Sequence, residues 1–468
     1  MAATADKMVP WIQSLLTAPP ASVSGLKLQD YLAGIPRLDS LADVPSGTPV
    51  LVRADVDAKP GATVGEGDIR LRSMVETLEF GRKRGWKQIL FGHIGRKPDG
   101  SLSKVAKRLG EILKCDVPLI TDWLDESTGT ILDSVKKTID AAPPGAVIML
   151  ENTRKYGVER TLWEAAPEDA AKVAPQLAKL ADEFAAKVAT VYVNEALSAG
   201  SMDASSTVVP AAMKRVALGA YVAQEFDKPM QRCMNADFVF FSGLKTDKLD
   251  DLRAVVDRGT VRWVFVAGNF VLALKKADGE LSGKEFCMGL AEKPENAKQP
   301  WFIERSRVEQ AKQLLVDGRA KGIKFIMPVD FTLGDGTVSA TIGPDQQQFD
   351  VGPGTSAHFA DAVGQYINEL KSRPAGSPAP AAFYNGVLGM FEDPRFENGT
   401  RNFMPQLKRL KDAGVEVYIG GGEGGAAMEK YGSSDWITHC FTAGGTVLNA
   451  LGSAPVPYLQ ALYMAAKK

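Results

Sequence analysis

Cysteine and histidine are scarce in this chain, and their scarcity removes whole classes of chemistry. Cys115, Cys233, Cys287 and Cys440 lie far apart and form no C-x-x-C pair, so they read as reduced packing thiols of a cytosolic protein. His93, His358 and His439 are the only histidines, too few for a multi-histidine zinc site. No stretch is long and apolar enough to span a membrane. The first residues, M-A-A-T-A-D-K-M-V-P-W-I-Q-S-L-L-T-A-P-P, lack the basic start and clean apolar run of a signal peptide. A net charge of −1 leaves no basic excess, which argues against a nucleic-acid partner. Neither G-x-x-x-x-G-K-[ST] nor a well-placed G-x-G-x-x-G followed by a ribose-binding acid is present, which speaks against P-loop enzymes and simple dehydrogenases.

What the chain does contain is a repeated strand theme. Val50–Asp55 (V-L-V-R-A-D), Gln88–Arg96 (Q-I-L-F-G-H-I-G-R) and Ala146–Arg154 (A-V-I-M-L-E-N-T-R) are apolar runs that each end in basic residues. Runs without polar alternation are the mark of strands buried on both faces. In an open parallel sheet the ligand lies beyond the carboxyl ends of the strands. Arg53, His93, Arg96 and Arg154 are therefore expected to converge on one crevice that holds an anion.

The second half repeats the theme with different stops. Asp237–Gly243, Trp263–Asn269, Lys324–Asp330, Ala381–Gly386 and Glu416–Gly422 are short apolar runs ending in Gly, Asn or Asp. Amphipathic stretches such as Ser306–Lys321 and Ser356–Ser372 lie between them, and strands alternating with helices imply parallel sheets covered on both faces. Glycines cluster after these strands, in S-G-L-K, N-G-V-L-G, I-G-G-G-E-G-G and T-A-G-G-T. Such turns let backbone N–H groups approach phosphate oxygens, and a following helix adds its positive end. One half is built for a small, multiply charged anion and the other for a nucleotide. At 468 residues the chain is too long for one core. The boundary is placed in Val208–Met230, where A-L-G-A-Y-V-A-Q-E-F reads as a helix-length piece. The Ser372–Pro380 stretch reads as a surface loop.

From about Val50 to Gly452 the chain resembles phosphoglycerate kinase. The resemblance rests on ordered motifs: V-R-A-D-V-D, D-I-R-L-R, G-H-I-G-R, S-L-S-K-V-A-K-R-L, L-E-N-T-R, V-N-E-A, G-L-K-T-D-K, P-V-D, D-V-G-P-G-T, Y-N-G-V-L-G-M-F-E, I-G-G-G-E and T-A-G-G-T. It implies an α/β fold of two Rossmann-like parallel-sheet domains, each a three-layer αβα arrangement, joined by a hinge. The expected division is an N-terminal extension at 1–30, a phosphoglycerate-type domain at 31–215, a hinge helix region at 216–232, a nucleotide-binding domain at 233–445, and a segment at 446–468 that returns to the first domain. It also implies a monomeric cytosolic enzyme that moves a phosphoryl group between an acyl phosphate and ADP, with Mg2+ accompanying ATP or ADP and no nucleic acid or membrane as partner.

Carried over residue by residue, Asp55, Asp57, Arg70, His93, Arg96 and Arg154 are expected to hold phosphoglycerate. Gly243, Lys245, Lys248, Asn385, Val387, Glu392 and the Gly420, Gly421, Gly422, Glu423 turn are expected to hold the nucleotide, with Glu423 as the metal ligand. A carboxylate is already nucleophilic, so catalysis reduces to in-line positioning and charge neutralisation. Arg70 and Lys245 are assigned that role, assisted by backbone N–H groups of Gly422 and Gly445. Arg53 is open to a structural reading, as the partner of a carboxylate near its strand.

The departures fall at ligand positions. Where the family has a basic stretch, this chain reads V-N-E-A-L-S-A-G-S-M-D-A-S-S, so Ser201, Met202 and Ala204 replace basic residues and Asp203 adds negative charge. Asp57 replaces an asparagine, Glu423 an aspartate, Gly424 a hydroxyl residue and Val387 a proline. A-G-N-F at Ala267–Phe270 replaces a glycine triplet, and G-L-K-T-D-K is one residue short. Lys155, Lys214 and Arg215 are candidates to replace the missing cations. Three readings stay open on the sequence: a divergent phosphoglycerate kinase, a catalytically degenerate nucleotide-binding or regulatory protein, and a carboxylate kinase with a changed acyl substrate.

Overall fold

The computed structural model describes residues 3–17, 27–244, 246, 248–374, 376–451 and 456–468. The chain divides into two compact units, Met1–Lys228 with Ala454–Lys468, and Pro229–Ser453.

The first unit is built on six parallel strands, β1 (Pro49–Arg53), β2 (Lys87–Phe91), β3 (Leu119–Ile120), β4 (Val147–Leu150), β5 (Val191–Asn194) and β6 (Arg215–Leu218). Their order across the sheet is β3-β4-β2-β1-β5-β6. The apolar runs form these strands because both faces are covered: Val50, Leu51, Val52, Ile89 and Leu90 are all essentially inaccessible. The chain winds outward from β1 in one direction through β2, then returns to β1's other side with β5. The β1/β5 junction is thus the point where strand order reverses, the usual site of a ligand crevice. Arg53 closes β1 in register with Phe91 of β2 and Asn194 of β5.

The second unit repeats the plan with β7 (Phe238–Phe241), β8 (Trp263–Val266), β9 (Lys324–Ile326), β10 (Ala381–Asn385), β11 (Glu416–Gly420) and β12 (His439–Phe441), all parallel. The order is β9-β8-β7-β10-β11-β12, so the reversal lies between β7 and β10. Its core is aromatic: Phe240, on β7, packs with its ring centroid 4.4 Å from Phe403 and 4.8 Å from Tyr384. A small antiparallel sheet of Phe331–Leu333, Val338–Ser339 and Gln348–Val351 is an addition that the apolar-run reading did not foresee.

The A-L-G-A-Y-V-A-Q-E-F stretch is not one helix. Ala217 and Leu218 end strand β6, Gly219 breaks the pattern, and Ala220–Glu225 is helical. Val216, Ala217 and Leu218 are buried along the sheet edge, and their packing overrides a sequence with no clear period. Phe226–Met230, around the junction of the two units, is a single turn of π-helix carrying Pro229.

The arm before residue 30 contributes α1 (Ala5–Leu16), whose Met8, Trp11, Ile12 and Leu15 recur at helical spacing and are buried. It packs on α2 (Ala170–Lys187). The Trp11 indole donates to the Thr207 carbonyl at 2.9 Å, and Lys468 Nζ lies 4.4 Å over its ring. The helix Pro457–Ala466 also joins the first unit, burying Tyr458, Leu459 and Leu462. Truncating a buried aromatic typically removes about 3–5 kcal/mol. Trp11→Ala is therefore expected to lower the urea-unfolding free energy of the first unit by that amount, and a loss below about 1 kcal/mol would separate the arm from the core.

Candidate active site

In the first unit the strand ends deliver the expected side chains to the β1/β5 reversal. Arg53 is fully buried and wholly occupied: Nε donates to Ser205 Oγ at 2.9 Å, Nη1 to the Ala54 carbonyl at 3.0 Å, and Nη2 meets His93 Nδ1 at 2.8 Å and Asp203 Oδ2 at 3.5 Å. These contacts give Arg53 the structural part. A guanidinium has no lone pair to offer, so His93 Nδ1 must be the acceptor and its proton sits on Nε2. Burial, then the charges of Arg53 and Arg154, hold His93 well below the ordinary imidazole range. The 3.4 Å approach of Asp203 to His93 Nδ1 is consequently not an ion pair.

Arg154 follows β4 on a short 3-10 turn capped by Asn152, whose Oδ1 accepts from the Arg154 and Ile94 amides. Asn152 thus ties the loop after β4 to the loop after β2, a role that spacing alone does not disclose. Arg154 Nη1 donates to the Gly95 carbonyl at 2.7 Å, and Nη2 donates to Asp203 at 2.9 Å and to Ser201 at 3.3 Å. Its guanidinium lies 4.7 Å over the Trp163 ring, while its buried Nε has no partner among the described residues.

Arg70, on the short helix Ile69–Ser73, donates through Nη1 to the carbonyl and Oδ2 of Asp57, both at 3.0 Å, and lies 3.7 Å from Asp55 Oδ1. Burial works against its charge, but Asp55 and Asp57 outweigh burial and tighten its hold on the proton. Asp55 is buried, which pushes its carboxyl up against the opposing pull of Arg70 and Ser198; Ser198 Oγ donates to it at 2.7 Å. Asp57 Oδ1 also accepts from the Gly95 amide at 2.9 Å. Arg96 is exposed on the loop after β2. Asp55, Asp57, Arg70, His93, Arg96 and Arg154 thus all lie on the strand-end side of one sheet.

The replacement cations do not reach this site. Lys155 is held by Asp122 at 2.7 Å, and Arg215 by Asp43 at 2.8 Å. Lys214 instead lines a cavity of about 410 Å³ with Trp11, Lys7 and Lys468. Glu159 and Trp163 are site residues that the strand-end reading missed. Glu159 accepts from Ser205 N at 2.8 Å and Ser205 Oγ at 2.5 Å, and burial together with Asp203 pushes its carboxyl up to about 7. Trp163 carried one usable signal, as a large aromatic in a stretch otherwise rich in Glu and Ala.

In the second unit the glycine turns meet at the β7/β10 reversal. Gly386 has φ of 99°, and a Cβ there would stand 2.1 Å from the Ser242 carbonyl; only glycine lets the ends of β10 and β7 approach this closely. Asn385, buried at the end of β10, donates to the Gly420 carbonyl at 2.8 Å and accepts from Lys248 Nζ at 2.6 Å. Ser242 Oγ donates to the Val387 carbonyl, and Gly243 lies next on that strand end. Gly421, with φ of 93°, caps the helix Gly422–Tyr431. Side chains added at Gly422 or Gly445 would meet nothing within 4 Å, so both backbones face open space. Glu423 is exposed in the first turn of that helix, and Glu392 is exposed on the turn after β10. Lys245 lies outside the described residues. A single exposed carboxylate beside an open, N–H-lined helix start suits an ion that takes one or two carboxylates and fills its other positions with phosphate and water. Glu423 therefore fits Mg2+.

The phosphoglycerate kinase family model matches residues 41–453. Among curated relatives, the cytosolic phosphoglycerate kinase of Triticum aestivum is 29% identical over 433 residues, covering 89% of this chain and 95% of the wheat protein. The phosphoglycerate kinase of Clostridium novyi is 30% identical over 437 residues, covering 89% and 96%. Two solved structures share the fold: phosphoglycerate kinase from Pyrococcus horikoshii, with a TM-score of 0.67 at 21% identity over 93% of this chain and 100% of that one, and from Coxiella burnetii, with 0.61 at 23% identity over 91% and 99%.

Proposed function

The chain belongs to the phosphoglycerate kinase family, and from that premise we propose that it catalyses reversible phosphoryl transfer between 1,3-bisphosphoglycerate and ADP, yielding 3-phosphoglycerate and ATP. The observation that carries this reading is the doubled arrangement of strand ends. One parallel sheet gathers guanidinium and carboxylate groups at its reversal point, and the other gathers glycine turns with Lys248 and Asn385 at its own. An acid and a nucleotide need just such different settings.

The acceptor is a carboxylate, ionised at neutral pH, so no side chain has to remove a proton. The work left to the protein is to hold the acid and nucleotide in line and to offset charge on the transferring group. Arg70 is assigned to that charge, with Lys245 as its counterpart on the nucleotide side, and the amides of Gly422 and Gly445 as neutral donors. Asp55, Asp57, His93, Arg96 and Arg154 hold the acid. Gly243, Lys248, Asn385, Val387, Glu392, Gly420 and Gly421 line the nucleotide's place. Glu423 would hold Mg2+, which would supply positive charge against the nucleotide phosphates. The same reading expects a cytosolic monomer acting on small molecules, with no nucleic acid or membrane partner.

The test is turnover of the purified chain with 3-phosphoglycerate and magnesium ATP, coupled to reduction of the acyl-phosphate product. Turnover that requires both substrates is the expected result. No turnover by a folded protein that still binds ATP would overturn the reading.

A further inference from the structure

The cation cluster of the first unit already holds an anion, and that anion belongs to the chain itself. Asp203 is fully buried. Arg154 Nη2 donates to its two oxygens at 2.9 and 3.2 Å, Trp163 Nε1 donates to Oδ1 at 2.9 Å, and Arg53 Nη2 approaches Oδ2 at 3.5 Å. Around it the charges are matched locally, with Arg70 on Asp55 and Asp57. A buried ion pair by itself is weak evidence of function. Two observations go further. Asp203 falls in the 200–206 stretch, where the family resemblance places basic residues. And Arg154 keeps its Nε buried without a partner among the described residues, an unmet donor on the one guanidinium that Asp203 engages most closely, and a group of that kind calls for an explanation.

We propose that Asp203 is a specificity-determining residue: its carboxylate stands on Arg154 where the non-reacting phosphate of the acid substrate would stand, so this chain grips a phosphorylated acid weakly. The proposal rests on reading the cluster as the acid-binding site. Arg70 is assigned to the transferring group, which leaves Arg154 to the acid's far end. An incoming phosphate must share Arg154 with Asp203 or displace it. A neutral hydroxyl at the acid's far end needs to do neither and can take the free Nε–H. Asp203 therefore narrows the preference for phosphorylated over unphosphorylated acids.

The test uses the full chain and Asp203→Asn, which keeps the size of the side chain and removes its charge. Affinity for 3-phosphoglycerate, D-glycerate and inorganic phosphate is read by calorimetry, and KM by the coupled assay. Asp203→Asn is expected to tighten 3-phosphoglycerate and inorganic phosphate at least about tenfold and to leave D-glycerate unchanged. That selectivity is what a merely structural carboxylate would not produce. Equal affinities in both proteins, or equal gains for D-glycerate, overturn the proposal. Should Asp203→Asn not fold, the unaltered chain still decides: a preference for 3-phosphoglycerate over D-glycerate below about tenfold in affinity supports the proposal, and one above about a thousandfold overturns it. Tightened phosphate binding without turnover in either protein would uphold Asp203's role while the kinase reading fails.

Discussion

Replacing Arg70 with alanine is expected to slow phosphoryl transfer about 10²- to 10³-fold, the usual cost of losing one preorganised charge donor. The side chain is well placed to be rigid. Its guanidinium is fixed by two contacts to Asp57 at 3.0 Å and sits 3.7 Å from Asp55, with its side chain only 19% exposed. It loses little freedom when substrate arrives, and its charge is secure across the physiological range. The substitution has a second consequence, because Asp55 is fully buried and Arg70 is the strongest opposing pull on its upward shift. Removing Arg70 strands that carboxyl, so a fall in melting temperature is expected beside the fall in kcat. The two effects separate in Arg70→Ala combined with Asp55→Asn, which rebalances the charge. The double variant is expected to recover stability but not turnover. Steady-state kcat well below the melting temperature, compared with thermal melts of both variants, provides the check. A kcat within tenfold of the unaltered chain would remove Arg70 from the transfer step. Arg70→Lys keeps a charge but not the planar fork that engages Asp57, and its kcat should lie between the two.

The parts of this protein that were legible in its sequence share a physical cause. Strands such as Val50–Arg53 and Phe238–Phe241 are buried on both faces, so nothing interrupts their apolar runs and the basic or glycine stop marks the ligand side. The arm before residue 30 was legible only as an extension: Met8, Trp11, Ile12 and Leu15 recur at helical spacing in the folded chain, but a period does not name the surface it packs on, and α2 could only be identified in three dimensions. Val191–Asn194 and Arg215–Leu218 are four residues each, too short for a pattern to separate from the flanking apolar residues. The candidate site was legible as a set of cations with Asp203 as an added negative charge, and opaque in which cation that carboxylate would meet. Arg154 and Asp203 are 49 positions apart, and Arg53 and Asp203 are 150. No local rule joins them. The sequence therefore pointed to an anion-hungry crevice, whereas the folded unit has supplied much of that anion from its own loop.

The contribution of Glu195 to the stability of the first unit should fall as pH rises from about 4.5 to 8. This carboxyl closes the end of β5 and is fully buried. It accepts from the Tyr221 amide at 3.1 Å and more distantly from Val222 at 3.4 Å, at the start of the helix Ala220–Glu225. Burial dominates these bonds and pushes its carboxyl from 4.5 to about 8. The folded state thus holds a proton that the unfolded chain releases near 4.5. Below that value both states are protonated and the full contribution is present. Between 4.5 and 8 only the folded state keeps its proton, so each pH unit removes about 1.4 kcal/mol, levelling off once both states are ionised. The whole window is worth at most about 5 kcal/mol. Glu159, also pushed up to about 7 by burial, and Asp55, raised by burial, add losses of the same sign. His93, held below its ordinary range by burial, adds a gain as pH rises toward that range, so the raw pH profile reports all of these groups. Glu195→Gln isolates one of them, because an amide stays neutral throughout and can still accept from the two backbone N–H groups. The difference in unfolding free energy between Glu195→Gln and the unaltered chain should therefore shift in favour of the variant from pH 5 to pH 8, by urea unfolding at constant ionic strength. A difference independent of pH would mean that Glu195 is already ionised in the folded unit, with the start of the Ala220–Glu225 helix stabilising the charge more than burial opposes it.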